Sequence, residues 1–239
     1  MSAFPLEGEV EYPSSDGKPM AETDLHRKEM VYVTEALAAH FRDSPDVYVS
    51  GNILLYYVEG DPRSSISPDA LVTRGLAHAK EERDVYKVWE EGEPPCWVME
   101  VTSKKTRTED LTRKRKLYKQ LGVEEYFLFD PRAEYLNPPL QGFRLGGRDY
   151  RPITPEPDGS IFSPALGLGF RVGDQGRLQI QDPKTGTVLL RPEELEAARR
   201  AAMEQARQAQ KQAQEAKENA ARLEQEITRL RQELERRQG

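Results

Sequence analysis

The sequence predicts an α/β domain over residues 1–191, a mixed sheet flanked by helices with a β-rich extension, and then one long C-terminal coiled-coil helix over residues 192–239. Three observations predict this. Short Val-, Ile-, Leu- and Tyr-rich runs alternate with helical patterns up to Pro131, which is the signature of an α/β arrangement. All 17 prolines lie at or before Pro192, and all glycines but the terminal Gly239 lie at or before Gly186. From Glu193 onward the chain is built of Ala, Glu, Gln, Arg, Lys and Leu, the strong helix formers.

The elements follow in order. Thr23 to Phe41 reads as a helix, with Val33, Leu37 and Phe41 on one face, Met30 and Thr34 beside them, and Thr23 or Asp24 as cap. Asp46 to Glu59 reads as one strand, or as two strands around a turn at Gly51-Asn52. Ala70–Thr73 is a short strand after Pro68-Asp69. Cys96–Thr102 is apolar on both faces, as a central buried strand requires. Thr108 to Leu121 is a helix closed by Gly122. Glu125–Asp130 is a second buried strand stopped by Pro131, and 132–191 holds short strands between Pro/Gly turns.

In the tail, Leu195, Ala202, Ala209, Ala216, Leu223 and Leu230 fall seven apart. Ala206, Ala213, Ala220, Ile227 and Leu234 form a second series offset by four. Together they are the a and d positions of a heptad, broken by Arg199 and Arg237 only at the ends. An alanine seam buries little per layer, so the Leu223–Leu234 half is expected to hold the partner. Self-association as a homo-oligomer is the expectation. A solvated single helix or docking on another protein are the alternatives, and dimer against trimer is open.

Composition excludes several function classes. The chain has 239 residues with 35 basic against 41 acidic side chains, a net charge of -6. The tail from residue 193 carries 10 of each sign, so the whole excess lies in the first part. No apolar run approaches the ~18–20 residues of a membrane helix, and no membrane partner is expected. Met1 to Val10 carries acids and no basic n-region, so it does not read as a secretory signal. One cysteine, Cys96, excludes a disulfide framework and a cysteine zinc site, and His26, His40 and His78 leave little for a histidine cage. The expectation is a soluble protein of a reducing cytoplasm, without a small-molecule cofactor.

Glu100 is the informative residue. It sits inside Trp97-Val98-Met99-Glu100-Val101, a run that otherwise belongs in a core, on the strand face of Val98 and Thr102. A carboxylate there costs several kcal/mol, of order, unless it is paired or metal-bound. Asp69 also occupies a sheet position, and two acids converging at one end of a sheet make a hard oxygen site that suits Mg²⁺ or Mn²⁺. The segment 104–119 nets +6 within a chain of -6, through Lys104, Lys105, Arg107, Arg113, Lys114, Arg115, Lys116 and Lys119 against Glu109 and Asp110. Paired carboxylates beside a basic patch suit metal-dependent phosphodiester cleavage, the basics binding backbone phosphates. Each piece has a plain alternative: Asp69 as an ordinary turn residue, Glu100 salt-bridged by Lys114, the basic helix as a solvated face.

The stretch D-L-x-x-K-x-x-x-Y-x-x-x-G-V-x-E-Y-x-x-x-D-P from Asp110 to Pro131 adds specificity, with Pro68-Asp69 and Glu100-Val101-Thr102-Ser103 ahead of it. Over about residues 20–175 the chain resembles the Uma-type family, classed as bacterial restriction endonucleases within the PD-(D/E)XK nuclease superfamily. The resemblance implies a restriction-endonuclease-like core with the site where Asp69 and Glu100 meet. The superfamily motif wants a lysine two residues after the acid, and Thr102 stands there. In this family a helix lysine is thought to substitute, and Lys114 matches that position, with Tyr118 on the same helix face. Lys104 is a possible substitute. Glu22 and His26 are candidate accessory groups, as are Thr102 and Ser103. Phosphate contacts are expected from Lys104, Lys105, Arg107, Arg113 and Lys116.

Two functions of different classes follow. One is a Mg²⁺- or Mn²⁺-dependent endonuclease acting on DNA, with Asp69 and Glu100 as metal ligands and Lys114 stabilising developing charge. The other is a weak or inactive nuclease-derived binding or assembly module that works through its coiled coil. The presence of Asp69, Glu100 and Lys114 together favours the first. The acidic net charge is mild evidence against tight non-specific DNA binding, which a local basic stripe can still support.

Overall fold

The computed structural model describes residues 10–15 and 23–238, so Glu22 lies outside the described residues. Helix α1 (Asp24–His40) leads to β1 (Val47–Ser50), β2 (Leu55–Tyr56), β3 (Ser65–Ile66), β4 (Ala70–Arg74), β5 (Tyr86–Lys87), the short α2 (Val88–Glu91) and β6 (Trp97–Val101). A helical stretch follows as α3 (Arg107–Glu109), a π turn (Asp110–Lys114) and α4 (Arg115–Leu121). Then come β7 (Glu125–Phe129), β8 (Leu140–Gly146), β9 (Asp149–Pro152), β10 (Ile161–Ser163), β11 (Leu168–Val172), β12 (Leu178–Gln181) and α5 (Pro192–Gln238).

The main sheet has six strands in the order β1-β4-β6-β7-β8-β9. Only β6 and β7 run parallel, and all other neighbours are antiparallel. Every residue of β6 and β7 is buried, because both faces of the sheet are covered. On one face Trp97, Met99, Phe127 and Phe129 pack against Val33 and Leu37 of α1 and against Phe170 and Ile180. Trp97 stacks on Phe170 with ring centroids 5.3 Å apart. On the other face Leu71, Val98, Tyr126 and Leu128 pack with Tyr118 of α4. Each fully buried side chain of this size contributes roughly 1.5–3 kcal/mol.

The extension is divided between two sheets. Strands β8 and β9 complete the main sheet, and β10-β11-β12 form a separate three-stranded one. That second sheet is tied to α1 by Glu29, which is fully buried and accepts from Leu178 N at 3.2 Å and from Arg191 at 2.9 Å, with Arg177 as a third partner. Of the two readings of Asp46–Glu59, the structure takes the two-strand one: β1 and β2 part company at Gly51-Asn52. β1 pairs with β4, whereas β2 joins β3 and β5 in a third small sheet. The helix expected from Thr108 begins a residue earlier and winds through the π turn before closing at Gly122. Gly122 takes the left-handed conformation there (φ 83°), where Val123 N bonds back to Tyr118 O at 3.0 Å.

The chain divides into two compact units, Met1–Arg191 and Pro192–Gly239. The second is the single helix α5 of 47 residues, about 70 Å long at the standard rise. Among the described residues no helix is long and apolar enough to cross a membrane.

Candidate functional site

Strand alternation places Glu100 on the α4 face of the sheet, with Val98 behind it and Thr102 ahead of it. The antiparallel register of β4 and β6 pairs Ala70 with Met99, so Asp69 stands next to Glu100 just before β4 begins. Asp69 Oδ2 accepts a hydrogen bond from Val101 N at 2.7 Å, which fixes the turn acid to the second strand. Behind Asp69 the backbone is tight. A Cβ on Gly51 would lie 2.5 Å from the Asp69 carbonyl oxygen, and Asn52 N donates to Pro68 O at 2.8 Å. On α1, capped by the Thr23 side chain, His26 Nε2 lies 3.5 Å from Asp69 Oδ2.

The helical stretch closes over Glu100. Lys114 Nζ donates to Glu100 Oε2 at 2.6 Å, and Tyr118 OH donates to Oε1 at 2.6 Å. Lys114 also lies 3.1 Å from Asp110 Oδ1. Asp110 and Glu100 are each about 1% exposed. Among the described residues neither Asp110 carboxylate oxygen has an aligned hydrogen bond, while Tyr126 OH donates to the Asp110 carbonyl at 3.0 Å. The π turn that holds Asp110 and Lys114 departs from regular α-helix where these side chains face the strand.

Charge follows from this packing. Burial pushes the Glu100 carboxyl up from 4.5 to about 8; Lys114 opposes the rise, and the carboxylates of Asp69 and Asp110 add to it. Burial likewise raises Asp110, against the pull of Lys114. Burial alone would lower the Lys114 ammonium, but Glu100, Asp110 and Asp69 outweigh it and hold the lysine above its ordinary value. Tyr118 is raised far above its ordinary range by burial and then by Glu100, so it stays a donor.

The other sequence-predicted residues divide by position. Thr102 is buried; its amide donates to Phe129 O at 2.7 Å and its hydroxyl has no hydrogen-bond partner among the described residues. Ser103 and Thr106 bond each other reciprocally through amides and hydroxyls in the turn that leads into the helical stretch. Lys104, Lys105, Arg107, Arg113 and Lys116 are exposed. Arg113 is paired with Glu109 at 2.8 Å, and Arg107 lies 5.7 Å from the Tyr135 ring centroid. Arg115 and Lys119 are engaged elsewhere, over Phe143 and with Asp149. Asp110 is the residue that sequence reasoning undervalued: it opens the stretch that carries the family resemblance and offsets the basic charge, but the sequence reading gives it no place in the site. The four-residue spacing of Asp110, Lys114 and Tyr118 is the signal that marks it.

Residues 3–181 match the model of the Uma2 family, described as "Putative restriction endonuclease". The chain belongs to the Uma2 family. Its mixed sheet is accordingly a restriction-endonuclease-like core, and the family is one of nucleases. A solved structure similar to this Uma2 chain is that of a "putative nuclease belonging to DUF820" from Anabaena variabilis ATCC 29413. It shares 16% identity over 62% of this chain and 76% of its own, with a TM-score of 0.45. No curated protein matches the chain.

Proposed function

We propose that this Uma2 chain is a metal-dependent endonuclease that hydrolyses phosphodiester bonds in DNA. The carrying observation is the meeting of Glu100 and Asp110 on the ammonium of Lys114, with Asp69 next to Glu100 in the strand register and exposed basic side chains on the same helical stretch. When ionised, these three carboxylates exceed the lysine by two negative charges. Among the described residues no group of three or more His, Cys, Asp or Glu is arranged to hold a metal by itself. Mg²⁺ suits such a place, because it is held by one or two carboxylates and completes its shell with water and substrate phosphate. Asp69 and Glu100 fit that role, with hard oxygens and unbalanced charge. A bound Mg²⁺ or Mn²⁺ supplies a polarised phosphate oxygen and a more acidic water.

The chain's own groups account for the remainder. Val101 N and Tyr118 OH hold Asp69 and Glu100 in place. Lys114, protonated and rooted between two acids, stabilises negative charge developing on the phosphate, the part a strand lysine plays in the superfamily motif and Thr102 cannot. His26 beside Asp69 is an accessory group of that acid. Lys104, Lys105, Arg107, Arg113 and Lys116 bind backbone phosphates without reading sequence. The helix α5 supports self-association as a coiled coil. The single cysteine, buried and free, suits a reducing cytoplasm.

A second reading is an inactive nuclease-derived module. It is favoured by Glu100, both of whose oxygens already accept hydrogen bonds from Lys114 and Tyr118. Calorimetry with Mg²⁺ and Mn²⁺, wild type against Glu100→Ala, followed by nicking of supercoiled plasmid, separates the two. The nuclease reading expects metal binding and nicking by the wild type, both lost in the variant. Neither binding nor nicking at millimolar metal would sustain the module reading.

A further inference from the structure

Leu223, Ile227, Leu230 and Leu234 form one stripe on α5 and are 59%, 50%, 52% and 57% exposed. A helix that leaves such a stripe in water gains by covering it. The steps along the stripe assign its register. Leu223 to Ile227 is four residues and Ile227 to Leu230 is three, so Leu223 and Leu230 occupy d while Ile227 and Leu234 occupy a. A β-branched residue at a flanked by leucines at d favours two parallel strands over higher numbers. The alanine layers before residue 223 add little burial, so these four side chains dominate.

The flanking charges agree. Glu226 occupies g and Arg231 the following e. In a parallel, in-register pair, g of one helix faces the next e of the other, so Glu226 meets the partner's Arg231 on both sides of the seam. An antiparallel pair over the same stripe sets Glu226 against the partner's Glu233. Its only compensation is Glu224 against the partner's Arg231, so its charges cancel. Only the parallel arrangement has a net attraction.

We propose that α5 binds α5 of a second copy of this chain as a parallel, in-register, two-stranded coiled coil held over Leu223–Leu234. The proposal rests on the self-association reading and adds number, direction and register to it. The test uses the full chain. Sedimentation equilibrium at micromolar concentration is expected to give twice the 27.3 kDa chain mass. Ala220→Cys lies at a, next to its own copy only in the parallel register; antiparallel pairing over the same stripe sets it opposite residue 237. Mild oxidation of this variant is expected to yield a disulfide-linked dimer, and the native Cys96, being buried, stays out of the reaction. Arg231→Glu is expected to weaken the dimer by roughly tenfold, and adding Glu226→Arg to restore it.

A single-chain mass overturns self-association itself. A three-chain mass overturns the two-stranded state and leaves association standing. A two-chain mass without the Ala220→Cys cross-link overturns the parallel register alone, as does an Arg231→Glu dimer as tight as the wild type.

Discussion

Lys114 Nζ lies 2.6 Å from Glu100 Oε2, so a helix cation closes on a strand carboxylate 14 residues earlier in the chain. Intact, a pair buried this far adds little net stability, but removing one partner strands the other charge at a cost of ~3–5 kcal/mol. Asp110 increases that cost, because it faces the same ammonium. Above about pH 8, where Glu100 is ionised, Lys114→Met is therefore expected to lower the unfolding free energy by about 3 kcal/mol, and the Glu100→Gln/Lys114→Met double variant to recover much of it. Urea unfolding measures both. A single variant as stable as the wild type refutes the pairing. Nicking by Lys114→Met is expected to fall far below that of Lys104→Ala, since Lys104 stands exposed outside β6.

Glu100 gives the fold a pH dependence of defined sign. Its carboxyl is raised in the fold from 4.5 to about 8, so the neutral form is the one the fold favours. Its contribution is fully present below the ordinary carboxylate value and is lost as pH rises through about 8. With a chelator present, the wild type is expected to lose stability relative to Glu100→Gln between about pH 5 and about pH 9. Urea midpoints for the two proteins across that range check it. A stability difference that stays level with pH contradicts the burial of an ionisable group here. On the metal-site reading, Mg²⁺ binds the ionised acids, so adding it is expected to stabilise the wild type and not the variant.

The fold and the site were legible to different depths. The parity of Trp97 to Val101 was enough to place Glu100 on the face of Val98 and Thr102, because strand alternation leaves no other choice. Gly122 and Pro131 marked their boundaries through backbone chemistry that does not depend on tertiary context. Asp110 was harder, since an exposed i,i+4 partner and a buried acid look alike until the π turn and the overlying strand are known. The anchoring of 132–191 was not legible. Glu29 meets Arg177 and Arg191 across 148 and 162 residues, and no local pattern encodes a contact that distant.

Gly51 controls where Asp69 sits. A Cβ there would lie 2.5 Å from the Asp69 carbonyl oxygen and 2.6 Å from Thr34 Oγ1, and the first of these is backbone that cannot swing aside. Gly51→Ala is expected to displace Asp69 from Val101 N, to cost about 1–3 kcal/mol and to reduce nicking at least roughly tenfold. Gly169→Ala is the control, because its Cβ meets only the Gln181 carbonyl at 3.8 Å. Equal nicking by the two variants would show that Asp69 does not act in cleavage.

Glu29 tests whether the β10–β12 sheet serves the fold or the site. Its carboxylate is fully buried and carries two arginines and the Leu178 amide, so it locks the second sheet onto α1 at a distance from Glu100 in sequence and in packing face. Glu29→Ala leaves Arg191 buried without that partner and is expected to cost ~3–5 kcal/mol. Amide exchange is expected to rise first in Leu178–Gln181, whose register depends on the clamp. Because α1 also brings His26 to Asp69, loosening is expected to reach the site only when α1 itself moves. Well below the melting temperature, then, nicking per folded molecule should equal that of the wild type. A loss of nicking with the protein still folded would mean that the second sheet positions α1 for the chemistry, and that the clamp belongs to the site rather than to stability alone.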